Sequence, residues 1–563
     1  MFRKISLGRF KSFEHKTFDL KDLTVFTGTN SGGKSTILHG LAVIAQSCMT
    51  KGFAPLILNG EFVQLGKVEN LINEDSQEKT AEISITVDLP HSDTHTATRA
   101  ELTIKFDAAG LSYGPDKVPH FLSMVIDCQD TSGNLISGIS LSWDPAHSET
   151  VLPGIVNAGV KCVPYVAEFR NVQFAPGWLA KSRFKGDSPT GLDDILFASA
   201  SIAGVQFSSQ DLIPEYVVTR FDAVEYLTRK LYGQIGLAPH FETIFQAFRV
   251  AFSLPLCKPE MQPIWEEFMG DISSVENAEK LINFLRQRKS ADFKEYVYEA
   301  IPINDLSAEL GVAILILSTV NNRIRYLGPL RRKPALSYAY ESARNPYDVG
   351  VEGEFAAKVL EAQGEQIISY FAPPDQSQVF RRDTKTTLNE AVNAWVRYLE
   401  IGESVAGGDT FNIIPIGSTK SRTLNEVGVG ASQVLPILVS GLLSKRGDTL
   451  LIEQPELHLH PMLQSKLSDF FVSIISAGRQ ILLETHSEHI INRLAIHIAQ
   501  SPGTELSDKV GIYFIHKNGK YSDMQPIIID KYGRIEEWPD GFFDQASKDS
   551  VKALQAGYKK MGS

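Results

Sequence analysis

Nine residues near the N-terminus, GTNSGGKST from Gly28 to Thr36, restrict what this chain can fold into more than any other stretch. They follow the apolar run LTVFTG and lead into STILHGLAVIAQSC, whose apolar residues recur at helical spacing. A strand, a glycine-rich turn and a helix form the setting of a phosphate-binding loop, and Gly28, Gly33, Lys34 and Ser35 fit the pattern GxxxxGK[ST]. Backbone N–H groups in such a turn converge on phosphate, Lys34 reaches the β- and γ-phosphates, and the Ser35 hydroxyl ligates Mg²⁺. The dipole of the following helix adds to the attraction for an anion. Asn30 and Thr36 complete the expected nucleotide contacts of this loop, and an α/β core follows from it.

Three further signals crowd together between Asn425 and Arg493. In NEVGVGASQVLPILVSGLL, Gly430, Ser432 and Gln433 open an apolar helix, so N–H groups and a hydroxyl stand where an anionic γ-phosphate is welcome. DTLLIEQPE reads as a short buried strand ending in acid, from which Glu453 can hold the Mg²⁺ shell. RQILLETHSEHIINRL reads as a second buried strand with His486 at its end and a helix after it, and a histidine there can meet a γ-phosphate or the attacking water. The segment ELHLH also invites a metal reading, because Glu456, His458 and His460 alternate along it.

The stretch from Thr80 to about Trp143 alternates apolar and polar residues, as in AEISITVDL and AELTIKF, and predicts an antiparallel sheet. Helical patterns such as EKLINFLRQ and FKEYVYEAI dominate from about Leu192 to Thr319, without the sustained heptads of a long coiled coil. A net charge of −11 argues against a protein that coats nucleic acid by bulk charge. One basic cluster, Arg323, Arg325, Arg331, Arg332 and Lys333, could track a nucleic-acid backbone or meet carboxylates. The four cysteines lie far apart, which suggests neither a zinc site nor a disulfide framework and fits a cytoplasmic location. No apolar run approaches the ~20 residues that span a bilayer, so no membrane association is expected.

Phosphate-binding (Walker A) loop, glycine–serine–glutamine signature, acidic (Walker B) strand and switch histidine, in this order, resemble the ABC-type ATPase heads of the SMC, RecF and OLD group. EQPELHLHP, with YLGPLRRKP, GVEGEFAAKVL and RIEEWPDGFFDQ, is similar more narrowly to bacterial AAA-type ATPases that end in a small C-terminal domain of unknown function, the Septu-like anti-phage ATPases. The resemblance implies an ABC-type P-loop ATPase head with an antiparallel β subdomain and a compact helical insertion, and ATP and Mg²⁺ as cofactors. Its expected parts are 1–79 and 409–510 as the two halves of the head, 80–170 as a β-rich subdomain, 171–408 as a mostly helical insertion and 511–563 as a small tail domain.

It further implies a homodimer or higher oligomer in which Ser432 and Gly430 of one subunit act on nucleotide held by Lys34 of the other. A separate nuclease effector and DNA are the expected partners, because the stretch after His486 is too short for a nuclease domain of typical size. A non-enzymatic ATP-sensing scaffold and a RecF-like repair ATPase stay open. The family's Q-loop glutamine is matched by Gln46 or Gln64. Where the wider group ends its acidic strand in Asp-Glu, this chain has Glu453 and Gln454. Glutamine accepts no proton, and loss of a general base costs about 10²–10⁴ in rate. Slow hydrolysis is therefore expected, with Glu453 as the main carboxylate, Glu456 as the alternative base and Gln454 orienting water.

Overall fold

The structure is a computed structural model that describes residues 1–48, 56–91, 96–107, 112–113, 118–119, 121–143, 165–170, 201–207, 214–222, 296–302, 308–318, 320–331, 347–374, 382–426, 428–536, 539 and 552–555. At its centre is a six-stranded sheet built from β1 (Leu23–Gly28), β2 (Ile324–Leu327), β3 (Thr449–Glu453), β4 (Gln480–Glu484), β5 (Val510–Asn518) and β6 (Tyr521–Ile527). The spatial order is β2-β3-β4-β1-β5-β6, parallel throughout except for the β5–β6 hairpin at one edge. Glu453 stands opposite Glu484, and Glu484 opposite Phe26. The acidic strand and the phosphate-loop strand are thus separated by one strand, which itself ends in an acid.

The strands β1 to β4 are short and buried almost throughout because both faces of the parallel part of this sheet are covered. Phe26, Leu451, Leu482 and Ile515 point to one side, where they join the core under α1 (Lys34–Ser47). Leu450, Ile452, Ile481 and Leu483 point to the other, against α2 (Val429–Leu443), α3 (Pro461–Ser476) and α4 (Glu488–Gln500). The first core continues into a seven-stranded antiparallel sheet, in the order Tyr165–Arg170, Leu135–Trp143, Ser123–Gln129, Arg99–Asp107, Thr80–Asp88, Phe2–Gly8, His15–Asp19. The alternation read between Thr80 and Trp143 is this sheet. Among the described residues the longest helix is α3, with 16 residues, so no long coiled coil is present.

The structure adds to the expected parts of the chain. Phe2–Gly8 and His15–Asp19, within the segment 1–79, belong to the antiparallel sheet, where Phe2–Gly8 pairs with both His15–Asp19 and Thr80–Asp88. The segment from 192 to 319 is not helical throughout: Ser201–Phe207, Pro214–Asp222 and Tyr296–Pro302 form a three-stranded sheet, while Ala308–Ser318 is a helix. The run YVYEAI is aromatic and β-branched at alternate places, which fits a strand better than a helix. EKLINFLRQ lies outside the described residues. Finally, β5, at the start of the expected tail segment, pairs with β1 over Val510–Ile515 and so joins the central sheet.

Candidate active site

The carboxyl ends of parallel strands are where α/β sheets place ligands. Here the turn after β1 is forced into its shape by two glycines. Gly28 has φ +133, and a Cβ there would lie 1.9 Å from the Ile515 carbonyl oxygen. Gly33, at φ 107, is the N-cap of α1 and offers no side-chain cap, so the N–H groups of the first turn are left to other acceptors. Asn30, Gly33, Lys34, Ser35 and Thr36 line one wall of a cavity of about 440 Å³. Gln454, Glu484 and His486 close it from the ends of β3 and β4, and Lys11, Ser12 and His39 complete it.

Lys34 is buried, and its Nζ donates to the carbonyl oxygens of Gly28 at 3.2 Å and Thr29 at 2.7 Å. Burial lowers its pKa, while Glu484 and Glu456 pull it back up. Burial also lowers the pKa of Lys11 and of His486, the latter helped by Lys34. A neutral His486 is the form that can accept a proton or a hydrogen bond.

The acids divide into three settings. Glu453 is 3 % exposed, and its Oε1 accepts from the Tyr326 hydroxyl at 2.7 Å and lies 3.2 Å from His39 Nε2. Glu456 is also buried: its Oε2 accepts from the Thr485 hydroxyl at 2.8 Å and its Oε1 from the His486 N–H at 2.6 Å. Burial raises its pKa against those bonds. Neither Glu453 nor Glu456 lines the cavity, whereas Glu484 does. Burial pushes Glu484 up to about 7 and Glu453 adds repulsion, opposed by a hydrogen bond with the Ser35 side chain and by the charge of Lys34. Its Oε2 has no hydrogen-bond partner.

Gln454 occupies a left-handed conformation, φ 43, and its N–H donates to the Glu484 carbonyl at 2.8 Å. This ties the ends of β3 and β4 together. Arg331 braces the same turn from the loop after β2: its Nη1 donates to the carbonyls of Glu453 at 2.8 Å and Gln454 at 3.3 Å. Burial lowers its pKa to about 10.

The basic cluster therefore is not a continuous nucleic-acid track. Arg325 and Arg331 are buried, and Arg325 lies 3.9 Å from Asp448, while Arg332 and Lys333 lie outside the described residues. The alternating ELHLH residues do not converge either, since Glu456 turns to Thr485 and His486 while His460 Nδ1 caps α3 through the Met462 N–H. Gln46 is buried and anchors the 57–63 loop through Ile57, Phe62 and Val63, and Gln64 is exposed; neither lines the cavity.

Gly430, Ser432 and Gln433 lie in the first turns of α2, outside the cavity wall. A Cβ on Gly430 would sit 3.3 Å from the Leu459 side chain, so this helix start packs on the loop that follows β3.

Residues 360–491 match the AAA ATPase domain. The match runs through α2, β3, α3 and β4 into α4, and so contains the acidic strand, Glu484 and His486. Residues 507–552 match a family described as protein of unknown function (DUF3696). No curated protein matches the chain. Among solved structures, the SMC head domain from Thermotoga maritima is similar at 9 % identity and TM-score 0.33, covering 93 % of this chain and 98 % of that one. A Smc head domain from Pyrococcus furiosus, with an extended coiled coil and bound to the C-terminal domain of ScpA, is similar at 11 % identity and TM-score 0.36, covering 94 % and 97 %.

In and around the cavity, sequence reasoning passed over Glu484, Tyr326, His39, Lys11 and the bracing role of Arg331. Glu484 carried a readable signal. QILLE ends in an acid as TLLIE does, and strand pairing sets the two acids side by side.

Proposed function

We propose that the chain binds ATP with Mg²⁺ in this cavity and hydrolyses it slowly, as a nucleotide-dependent switch. The supporting observation is that the phosphate loop, with Lys34 and the start of α1, faces Gln454, Glu484 and His486 across one cavity. The donor set fits a hard cation, because a hydroxyl and carboxylates are the oxygen ligands Mg²⁺ takes. Ser35, on the cavity wall, would hold it directly and Glu453, which lies behind the wall, through the water shell of the ion, and its charge would help neutralise the phosphates. Lys34 would leave the Gly28 and Thr29 carbonyls for phosphate oxygens. His486 would hydrogen-bond the γ-phosphate or water.

Gly430, Ser432 and Gln433 lie off the cavity wall, which supports a homodimer in which a second copy brings them to the nucleotide. A separate effector, a nuclease in an anti-phage role, is the proposed reader of the switch, on the resemblance of the motifs alone. The burial of Arg325 and Arg331 weighs against DNA as the direct reader along that segment. Nucleotide binding, phosphate release and solution mass test this reading together. The parent should bind ATP, release phosphate slowly and shift toward a dimer with ATP, and Lys34→Ala should lose all three. Phosphate release that Lys34→Ala leaves unchanged, or none at all from the parent, would sink the ATPase.

A further inference from the structure

We propose that Glu484, at the end of the strand between the phosphate-loop strand and the acidic strand, is the carboxylate that receives the proton of the attacking water, standing in for the one that Gln454 lacks. The proposal rests on the ATPase reading above. Three carboxylates lie near the phosphate loop, and their contacts separate them. Glu456 spends both oxygens, one on the Thr485 hydroxyl and one on the His486 N–H. Glu453 is held by the Tyr326 hydroxyl and His39 and does not line the cavity. Glu484 does line it, is 2 % exposed, meets the Ser35 side chain, and keeps a buried Oε2 without a hydrogen-bond partner.

Sheet order gives this position its meaning. β4 is the immediate neighbour of β1, so a side chain at its carboxyl end lies one strand spacing, about 4.8 Å, from the phosphate-loop strand, whereas one on β3 lies two spacings away. Gln454 and Glu484 are joined through the Gln454 N–H and the Glu484 carbonyl, 2.8 Å apart, so their side chains leave from adjoining points. A carboxylate at either point can serve the same water.

In the step itself the water oxygen bonds to the γ-phosphorus as the bond from that phosphorus to the bridging oxygen breaks. ADP leaves with the electron pair of that bond, and the proton of water passes to the Glu484 carboxylate. The amide of Gln454 orients the water and takes no proton.

The test compares the parent, Glu484→Gln, Glu484→Asp and the exchange variant Gln454→Glu/Glu484→Gln. Phosphate release, ATP affinity, the Mg²⁺ concentration for half-maximal turnover and the identity of the nucleotide retained after gel filtration are measured for each. Glu484→Gln should lose about 10²–10⁴ in turnover. It should bind ATP within about threefold of the parent and retain ATP where the parent retains ADP. The exchange variant should recover at least about tenfold of the loss. If Glu484→Gln does not fold, Glu484→Asp carries the test: lost turnover with ATP retained supports the role. Turnover within about threefold of the parent in Glu484→Gln overturns it. So does turnover restored by raising Mg²⁺ alone, which would make Glu484 a metal-holding group. A parent that releases no phosphate at all defeats the ATPase reading first, and that outcome is distinct from these.

Discussion

Asp469 offers a measurable test of how the catalytic turns are held. It is fully buried on α3 and accepts from Arg493 Nε at 2.7 Å and Nη2 at 3.1 Å, and also meets the His497 ring on α4 and the Tyr398 hydroxyl. α3 begins directly after the turn that carries Gln454 and Glu456, and α4 directly after His486, so this clamp fixes the spacing of both. Asp469→Asn keeps the shape but removes the charge and turns one acceptor into a donor that faces donors. Breaking a buried ion pair costs about 3–5 kcal/mol. Arg493 is 21 % exposed and regains some water, which places the loss near the lower end, ~3 kcal/mol.

Urea unfolding, with hydrogen exchange across α3 and α4, reads this out. Burial pushes the Asp469 pKa up, but the bonds from His497, Arg493 and Tyr398 outweigh it and leave the group below its usual range. The stabilisation is therefore complete above the unfolded value of about 3.9 and is lost as pH falls through the lower folded value. The difference between parent and variant should close in acid. A loss below about 1 kcal/mol at neutral pH, or a difference that grows in acid, would refute the reasoning.

Glu484 should show the opposite sign. Its folded pKa is raised to about 7, so nucleotide-free protein loses stability as pH climbs from the ordinary carboxylate range toward that value. Glu484→Gln should then be more stable than the parent at pH 8 by about 3 kcal/mol and melt higher, and should not do so at pH 4, as differential scanning calorimetry would show. Glu456→Gln can keep its bond from the His486 N–H and donate to the Thr485 hydroxyl. It should stay within about 1 kcal/mol of the parent in stability and within about tenfold in turnover; a complete loss of turnover would move the base to Glu456.

Much of the ATP-site wall was legible because it is local. GTNSGGKST needs only its own strand and helix to declare itself, and TLLIE and QILLE are strands by composition alone. What stayed hidden depends on pairing between distant segments. Nothing near Glu484 in the sequence says that its strand will lie between those ending in Gly28 and Glu453. Arg331 sits in a run of arginines that reads as a solvated surface, and becomes a brace only when β2 packs beside β3 and buries it. Phe2–Gly8 precedes β1 as another short apolar-rich run, yet it joins a different sheet, where it pairs in register with Thr80–Asp88. FKEYVYEAI fits helical spacing as well as alternation, and sheet pairing to Pro214–Asp222 decides between them.

The position of β1 also sets a clock on biosynthesis. This strand is made roughly 450 residues before the strands that flank it, which begin at residues 480 and 510. At about 5–20 residues per second, the LTVF edge of the nascent chain waits roughly 25–100 s for its neighbours. A truncated translation product that stops before Gln480 carries an intact phosphate loop with neither flanking strand of the ATP site. Assembly of the cavity around the phosphate loop thus waits until synthesis has passed these two strands, and the unpaired edge is a natural client for chaperones until then.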